Sequence, residues 1–155
     1  MTGKRSEKPL AQRELNVAIA NFRRAAWQRH EAATFLSSQR SYAMDAMYLE
    51  GYTVECGLKA LLLCLTPPRR RNKVYGQISR GRSSHDVERL KQMLAESGCP
   101  VPNDVAKNFR RVMFWSTRLR YEVKRMETTV ATEFLEAAEE IMNWVEGRAT
   151  WPILN

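Results

Sequence analysis

The sequence predicts an all-α protein, folded as an up-and-down antiparallel bundle of about five helices. Its length of 155 residues suits one ordinary domain. Apolar residues recur at steps of three and four along most of the chain, and the alternation typical of β-strands never persists. Amphipathic helices with short connections bury their apolar faces most simply as an antiparallel bundle.

The first helix is expected over residues 10–30, because its apolar residues form one stripe at helical spacing. The stripe consists of Leu15, Ala18, Ile19, Phe22, Ala25 and Ala26. The polar pair Ser37 and Ser38 follows, and the pattern leaves open whether the chain breaks there before the next helix.

The second helix is expected from about Ser41 to Leu65. A serine can cap a helix start, and Pro67 and Pro68 enforce the stop because proline cannot continue the hydrogen-bond ladder. The most hydrophobic stripe of the chain lies here and contains Met47, Gly51, Val54, Leu58, Leu61, Leu62 and Leu65.

Two further helices follow a polar segment. Ser83 followed by Asp86 resembles a capping arrangement, and Gly98 is a favoured stop, so the third helix lies between them. The fourth helix starts at Pro102 and Asn103. Their apolar stripes are Val87, Leu90, Met93 and Leu94 for the third helix, and Val105, Phe109, Val112 and Met113 for the fourth.

The last helix is expected from about Glu127 to Gly147. Its apolar stripe is Val130, Phe134, Ala137, Ala138, Ile141 and Val145, with acidic residues mostly on the other faces. We therefore expect a flexible N-terminus over residues 1–9, a helical domain over residues 10–147, and a C-terminal tail over residues 148–155.

Residues 66–83 are expected to form a basic loop within this domain. The segment holds six cations and no acid, and its prolines and glycines break helices. A loop of this length in a compact domain is uncommon unless it is functional or disordered. A phosphate ligand, such as nucleic acid, is its natural partner. The candidate contacts are Arg69, Arg70, Arg71, Lys73, Arg80 and Arg82.

The net charge of +8 is concentrated in three basic blocks, at residues 1–30, 66–83 and 107–125, which alternate with acidic blocks. Such blocks line a polyanion-binding surface or neutralise acidic patches on neighbouring helices or a second subunit. In the third block, Trp115, Arg118, Arg120 and Tyr121 form an aromatic–arginine cluster. This cluster is either structural, through cation–π stacking, or a clamp for phosphates and bases.

Several function classes are excluded or disfavoured by missing motifs. The sequence has no apolar run of membrane-spanning length and no secretory signal, so we expect a cytoplasmic protein without membrane contact. Three cysteines without a CxxC pair, and two histidines, give no metal-ligand spacing. We expect reduced, buried thiols, no metal and no cofactor. Motifs for serine hydrolases, phosphate-loop enzymes and zinc proteases are absent.

Glu55 and Lys59 are charged residues in the most hydrophobic helix. They stand four residues apart and therefore share one face, which favours an intrahelical ion pair at the edge of the core. Alternatively, Glu55 reaches across to an arginine of residues 118–120, because a partly buried carboxylate needs a cationic or hydrogen-bonding partner.

Four motifs along the chain resemble, in order, those of one family. They are GYTVECGLKALLL at residues 51–63, HDVERL at 85–90, Arg-Tyr at 120–121 and FLEAAEEI at 134–141. Over roughly residues 12–147 they are similar to the long second helix, the His-Asp-Leu-x-x-Leu element, the Arg-Tyr pair and the last helix of HEPN domains. These are small helical domains of higher eukaryotes and prokaryotes associated with nucleotide and RNA biology.

The resemblance implies a helical bundle that pairs as a two-fold homodimer. It also implies a role in a toxin–antitoxin or defence system, in RNA processing, or as partner of a nucleotidyltransferase. Many family members are metal-independent endoribonucleases with an arginine and a histidine separated by four to six residues. In them the arginine holds the scissile phosphate, the histidine moves protons, the RNA 2′-hydroxyl attacks, and two motifs meet at the dimer cleft.

Arg80 and His85 match this motif with four residues between them. Guanidinium suits a phosphate, and histidine titrates near neutral pH. Arginine is frequent in this chain, however, and Arg23 and Arg24 stand at matching distances from His30. Three roles for His85 remain open: a scaffold at a helix start, a catalytic group, or a ligand contact. His30 is expected to be structural or on the surface.

Three functions follow from this reading. The first is an RNA- or nucleotide-binding HEPN-like domain without catalysis, as half of a two-gene stress or defence system. The second is a metal-independent endoribonuclease with Arg80 and His85 as the working pair. The third is a protein-interaction adaptor whose acidic last helix meets a basic partner.

Overall fold

The computed structural model describes residues 8–116 and 127–154, except for the side chains of residues 82, 83 and 114–116. These ranges contain six α-helices and no strand, so the predicted all-α helical bundle is confirmed with one helix more than expected. None of the described helices combines the length and the apolar character that a membrane span needs. The helices are α1 (Gln12–Ser37), α2 (Ala43–Leu65), α3 (Pro68–Ser79), α4 (Val87–Glu96), α5 (Asn103–Ser116) and α6 (Thr128–Gly147).

The central helix of the bundle is α2, which contacts each of the other five α-helices. Its leucine-rich half is buried on all sides, as the near-continuous apolar run of residues 58–63 requires. Helix α6 packs against α2 at Gly57, where an added Cβ would overlap the Met142 sulfur. Glycine at this position therefore permits the contact between α2 and α6.

The chain does break between the first two helices. Helix α1 continues to Ser37, and one 3-10 turn over Arg40–Tyr42 leads into α2 at Ala43. The expected cap at Ser41 is wrong, because Ser41 lies inside the 3-10 turn and no side chain caps the start of α2.

The expected loop at residues 66–83 is also wrong, because most of it forms α3. Pro68 occupies the first turn of this helix, where the missing N–H of proline leaves no hydrogen bond unmade. Val74 and Ile78, one turn apart, are buried in the core and hold the helix to the bundle. This apolar contact outweighs the cost of about 1 kcal/mol for a glycine, Gly76, inside a helix.

Helix α4 is capped by Asp86 rather than by Ser83. The Asp86 carboxylate accepts a hydrogen bond from the backbone N–H of Arg89 at 3.1 Å. Ser83 belongs to a second 3-10 turn, Arg82–His85, which precedes the cap. The predicted stop at Gly98 is confirmed, since α4 ends at Glu96 and Gly98 then adopts a φ of +84°.

The chain after α6 is tied back to the bundle. Glu146 accepts hydrogen bonds from Arg23 at 2.7 Å and from the Trp27 indole at 2.8 Å, and the Arg23 guanidinium lies 4.8 Å from the centre of the Trp151 ring. Burial pushes the pKa of Glu146 up, but the hydrogen bonds from Arg23 and Trp27 outweigh it, so that the pKa is lowered. Helices α1 and α6 and the following segment are thus joined through one carboxylate.

Candidate functional site

A buried ion pair lies on α2. The Lys59 ammonium donates to Glu55 Oε1 at 2.8 Å, as expected for residues one turn apart. Both residues are buried, with relative exposures of 7% for Glu55 and 5% for Lys59. The pair therefore lies deeper than the edge of the core. The other predicted partner of Glu55, an arginine of residues 118–120, lies outside the described residues.

His85 is a second partner of the same carboxylate. Its Nδ1 lies 3.0 Å from Glu55 Oε1, although 52% of the histidine side chain is exposed. Because a carboxylate oxygen accepts hydrogen bonds, we assign Nδ1 as the donor; Nε2 is the ring nitrogen that does not contact Glu55. The Tyr52 ring stands edge-on to the imidazole, with 6.5 Å between the ring centres. A half-exposed histidine oriented by a buried carboxylate is an arrangement that can transfer protons.

The backbone before His85 fixes its position. Arg80 ends α3 in an extended conformation, and Gly81 then turns the chain with a φ of +81°, a conformation that favours glycine. The Ser84 hydroxyl donates to the Gly81 carbonyl at 2.7 Å, which stabilises the 3-10 turn. His85 ends this turn immediately before the Asp86 cap, and its imidazole faces α2.

Helix α3 carries the cations that were expected on a loop. Arg69, Arg70 and Lys73 are exposed. Within the described part of the chain none of the three forms an ion pair. Arg80, where α3 ends, is exposed as well. The side chain of Arg82 lies outside the described part, as do the whole of residues 118–121, with Arg118, Arg120 and Tyr121, and the side chain of Trp115.

Arg71 differs from its neighbours. Its guanidinium donates to the Thr66 carbonyl at 2.8 Å and to the Cys64 carbonyl at 3.2 Å, and thus satisfies main-chain acceptors at the end of α2. Arg71, one of the arginines predicted to bind phosphate, therefore has a structural role at the end of α2.

The competing arginine–histidine motif is occupied by structural contacts. His30 Nδ1 lies 2.7 Å from Glu50 Oε1, and the two side chains are 14% and 0% exposed. Burial raises the pKa of Glu50, and the hydrogen bond from His30 offsets only part of this rise. The sequence does not reveal this pair, because a contact between residues 20 positions apart depends on how α1 and α2 pack. Arg23, one of the two arginines whose spacing to His30 fits the motif, forms an ion pair with Glu146.

The described residues offer no site for a metal ion. They contain no group of three or more histidine, cysteine, aspartate or glutamate side chains that could hold one. All three cysteines are free; Cys99 is buried as expected, whereas Cys56 and Cys64 are only half-buried. On α6, Glu133, Glu136 and Glu139 are exposed and leave an acidic face open to solvent.

Comparisons with known proteins return no relative of this chain. No family model matches it, and no curated protein and no solved structure is significantly similar to it.

Proposed function

We propose that this chain is a HEPN-like domain that binds RNA or a nucleotide as a homodimer, in a toxin–antitoxin or defence system, where a nucleotidyltransferase is one class of partner. The observation that carries the proposal is the exposed cationic surface of α3. We define this cationic surface as Arg69, Arg70 and Lys73, followed by Arg80 where the helix ends.

The electrostatics of α3 suit a phosphate backbone. Arginines normally weaken the first turn of a helix, because the N-terminal end of the macrodipole is already positive. Arg69 and Arg70 add their charges at this end, which raises the attraction for anions. No acid lies between residues 66 and 83 to neutralise them. In addition, one guanidinium group can donate two parallel hydrogen bonds to two oxygens of the same phosphate.

Salt-dependent binding of a labelled single-stranded RNA tests this proposal. Each phosphate contact on a single strand contributes a slope of about −0.7 in log K against log salt. We expect the triple variant Arg69→Gln, Arg70→Gln, Lys73→Gln to bind more weakly and to flatten the slope by about 2.

The matched control neutralises three exposed arginines elsewhere, as Arg13→Gln, Arg24→Gln and Arg148→Gln. It has the same net charge as the test variant, so a non-specific charge effect would weaken both equally. Equal loss in the two variants, or binding by the native chain that ignores salt, would refute the assignment to α3.

A second candidate is a metal-independent endoribonuclease, and the contact between Glu55 and His85 favours it. In this reaction His85 takes the proton of the RNA 2′-hydroxyl, whose oxygen attacks the adjacent phosphorus. The bond from phosphorus to the 5′-oxygen breaks, the leaving oxygen gains a proton, and a 2′,3′-cyclic phosphate remains. Arg80 holds the phosphate, and Glu55 keeps the imidazole oriented.

Incubation of RNA with the protein in EDTA tests this second candidate. We expect cyclic-phosphate ends, and a rate that falls about 10²–10⁴-fold in His85→Ala, the range for loss of a general acid–base group. Gln92→Ala, an exposed change on α4, is purified in parallel to reveal contaminating nuclease. Equal activity of His85→Ala and native protein would remove His85 from the reaction.

A further inference from the structure

A groove between α1, α2 and α3 plays no part in the contacts described so far. Its volume is about 450 Å³, within the range of roughly 300–1,000 Å³ that ligand sites occupy. One wall is a face of α1 with Phe22 and Arg29, the second is Cys56 of α2, and the third is Tyr75 of α3.

The lining of the groove is mostly apolar and aromatic and includes one cation, Arg29, and one acid, Glu14, whose carboxylate accepts a hydrogen bond from the Ala11 backbone N–H at 2.7 Å. Phe22 and Tyr75 are aromatic and only partly buried, so part of each side chain remains open to a ligand. At one end, Arg29 Nη1 donates to the Ala25 carbonyl at 3.2 Å, and no carboxylate pairs with this guanidinium in the described ranges. An aromatic surface beside an unneutralised guanidinium suits a planar ring attached to an anion.

The groove is also close to the His85 site. Lys59 bridges the two, because its ammonium pairs with Glu55 on one side and lies 5.7 Å from the centre of the Phe22 ring on the other. Cys56 in the groove directly follows Glu55 along α2. When an RNA strand contacts His85, the nucleotides next to that contact therefore lie near the groove.

We propose that this groove holds one unpaired base of the bound RNA, with Phe22 and Tyr75 against the base and Arg29 near the adjacent phosphate. The inference rests on the proposed RNA binding and names where a base is held. A peptide side chain would fill the apolar part equally well, but it would leave Arg29 and the exposed Arg69 and Arg70 of α3 without an anion. Charge complementarity therefore favours nucleic acid.

Alkylation of Cys56 reports directly on the groove. Iodoacetamide is applied to the full chain with and without saturating oligoadenylate, and the modified peptides are quantified by mass spectrometry. Cys64 serves as the internal control, since it is also half-buried but lies outside the groove. We expect the RNA to slow modification of Cys56 severalfold and to leave Cys64 unchanged.

A pocket-filling variant gives an independent readout. Ala18→Leu adds bulk to the groove wall, and Ala32→Leu makes the same change at an exposed site of the same helix. Loss of one stacked base weakens binding about 5- to 150-fold, so we expect a loss in this range for Ala18→Leu and none for Ala32→Leu.

The two proposals fail in different ways. The first failure is that oligoadenylate binds with salt dependence, but does not slow alkylation of Cys56 and binds Ala18→Leu as tightly as the native protein. In that case the groove assignment is overturned and RNA binding stands. If oligoadenylate does not bind at all, the proposed function fails and the groove assignment with it.

Discussion

Two glutamates on α2 each hold a histidine, but the two pairs differ in their surroundings. Glu50 and Glu55 are five positions apart, so they point to different faces of the helix. Glu50 and His30 are both shielded from solvent, and one Glu50 oxygen has no hydrogen-bond partner in the described part. Glu55 instead has two partners, the Lys59 ammonium and the half-exposed His85.

A glutamate and a histidine in contact thus take different roles according to their burial and to the number of partners that the glutamate has. A buried carboxylate with one partner depends on that partner, because an uncompensated charge in the interior is unfavourable. A carboxylate that already has a lysine is stable without its histidine. His85 is thus available for a ligand or a proton, whereas His30 is needed for the fold.

Removing each histidine in turn should give the largest difference in stability between the two pairs. We expect His30→Ala to lower the free energy of unfolding by about 3 kcal/mol, because Glu50 is left buried without its partner. His85→Ala is expected to lower it by less than about 1 kcal/mol, since Lys59 still pairs with Glu55. Urea unfolding followed by circular dichroism at neutral pH measures both. Similar losses for the two variants would contradict the distinction.

Removing the lysine tests whether the second partner of Glu55 matters. Lys59→Met keeps most of the buried side-chain volume and leaves His85 as the remaining partner of Glu55. We expect a loss of about 1–2 kcal/mol in the same urea experiment, smaller than that of His30→Ala. A loss larger than that of His30→Ala would show that His85 does not support the carboxylate.

The pH dependence of the unfolding free energy tests the effect of burial on Glu50. Its pKa is raised above the model-compound value of 4.5 by burial, with His30 lowering it and Glu139 raising it further. The folded state then binds the proton more tightly than the unfolded state, so this contribution is fully present below about pH 4.5. It is lost as the pH rises through the folded-state pKa, with a slope of at most about 1.4 kcal/mol per pH unit.

The variant Glu50→Gln removes this titration. We expect the unfolding free energy of the native protein to fall relative to that of Glu50→Gln as the pH rises above 4.5. Other carboxylates, such as Glu146, titrate in both proteins and cancel in the difference. Urea unfolding across this pH range is the measurement, and parallel curves for the two proteins would contradict the prediction.

The smallest expected effect concerns the cap beside His85. Asp86→Ala removes the acceptor for the Arg89 N–H and is expected to lower the unfolding free energy by about 1 kcal/mol. Asp86→Asn keeps an acceptor of equal capping strength and is the matched control. Equal losses in thermal or urea unfolding would mean that the carboxylate acts through its charge and not as a cap.

Sequence periodicity predicted five of the six α-helices in the described ranges and missed α3. In α2 the apolar stripe from Met47 to Leu65 extends over about five turns, which no strand pattern can imitate. In α3 only Val74 and Ile78 are buried, and Gly76 and the leading prolines resemble loop residues, so tertiary contact decided the structure. Position-specific caps were missed for the same reason, because Ser41 and Ser83 are capping residues by type but lie within 3-10 turns.

The candidate site was predictable in part. The spacing of Glu55 and Lys59 on one helix predicted their ion pair, since a local distance follows from helix geometry alone. The contact of Glu55 with His85 joins residues 30 positions apart and depends on how α2, α3 and the following turn pack. The spacing of arginine and histidine cannot separate His85 from His30, because burial, and not spacing, distinguishes the two.

The hydrogen bonds of the Arg71 side chain determine which substitutions this part of the chain tolerates. Its guanidinium donates to main-chain carbonyls, which every amino acid supplies, so these two hydrogen bonds do not depend on which side chains stand at positions 64 and 66. Arg71 itself has no such freedom: a lysine presents one compact ammonium, which does not span two carbonyls as a planar fork does. Substitution at position 71 therefore affects these main-chain contacts more than substitution at either residue that supplies the carbonyls.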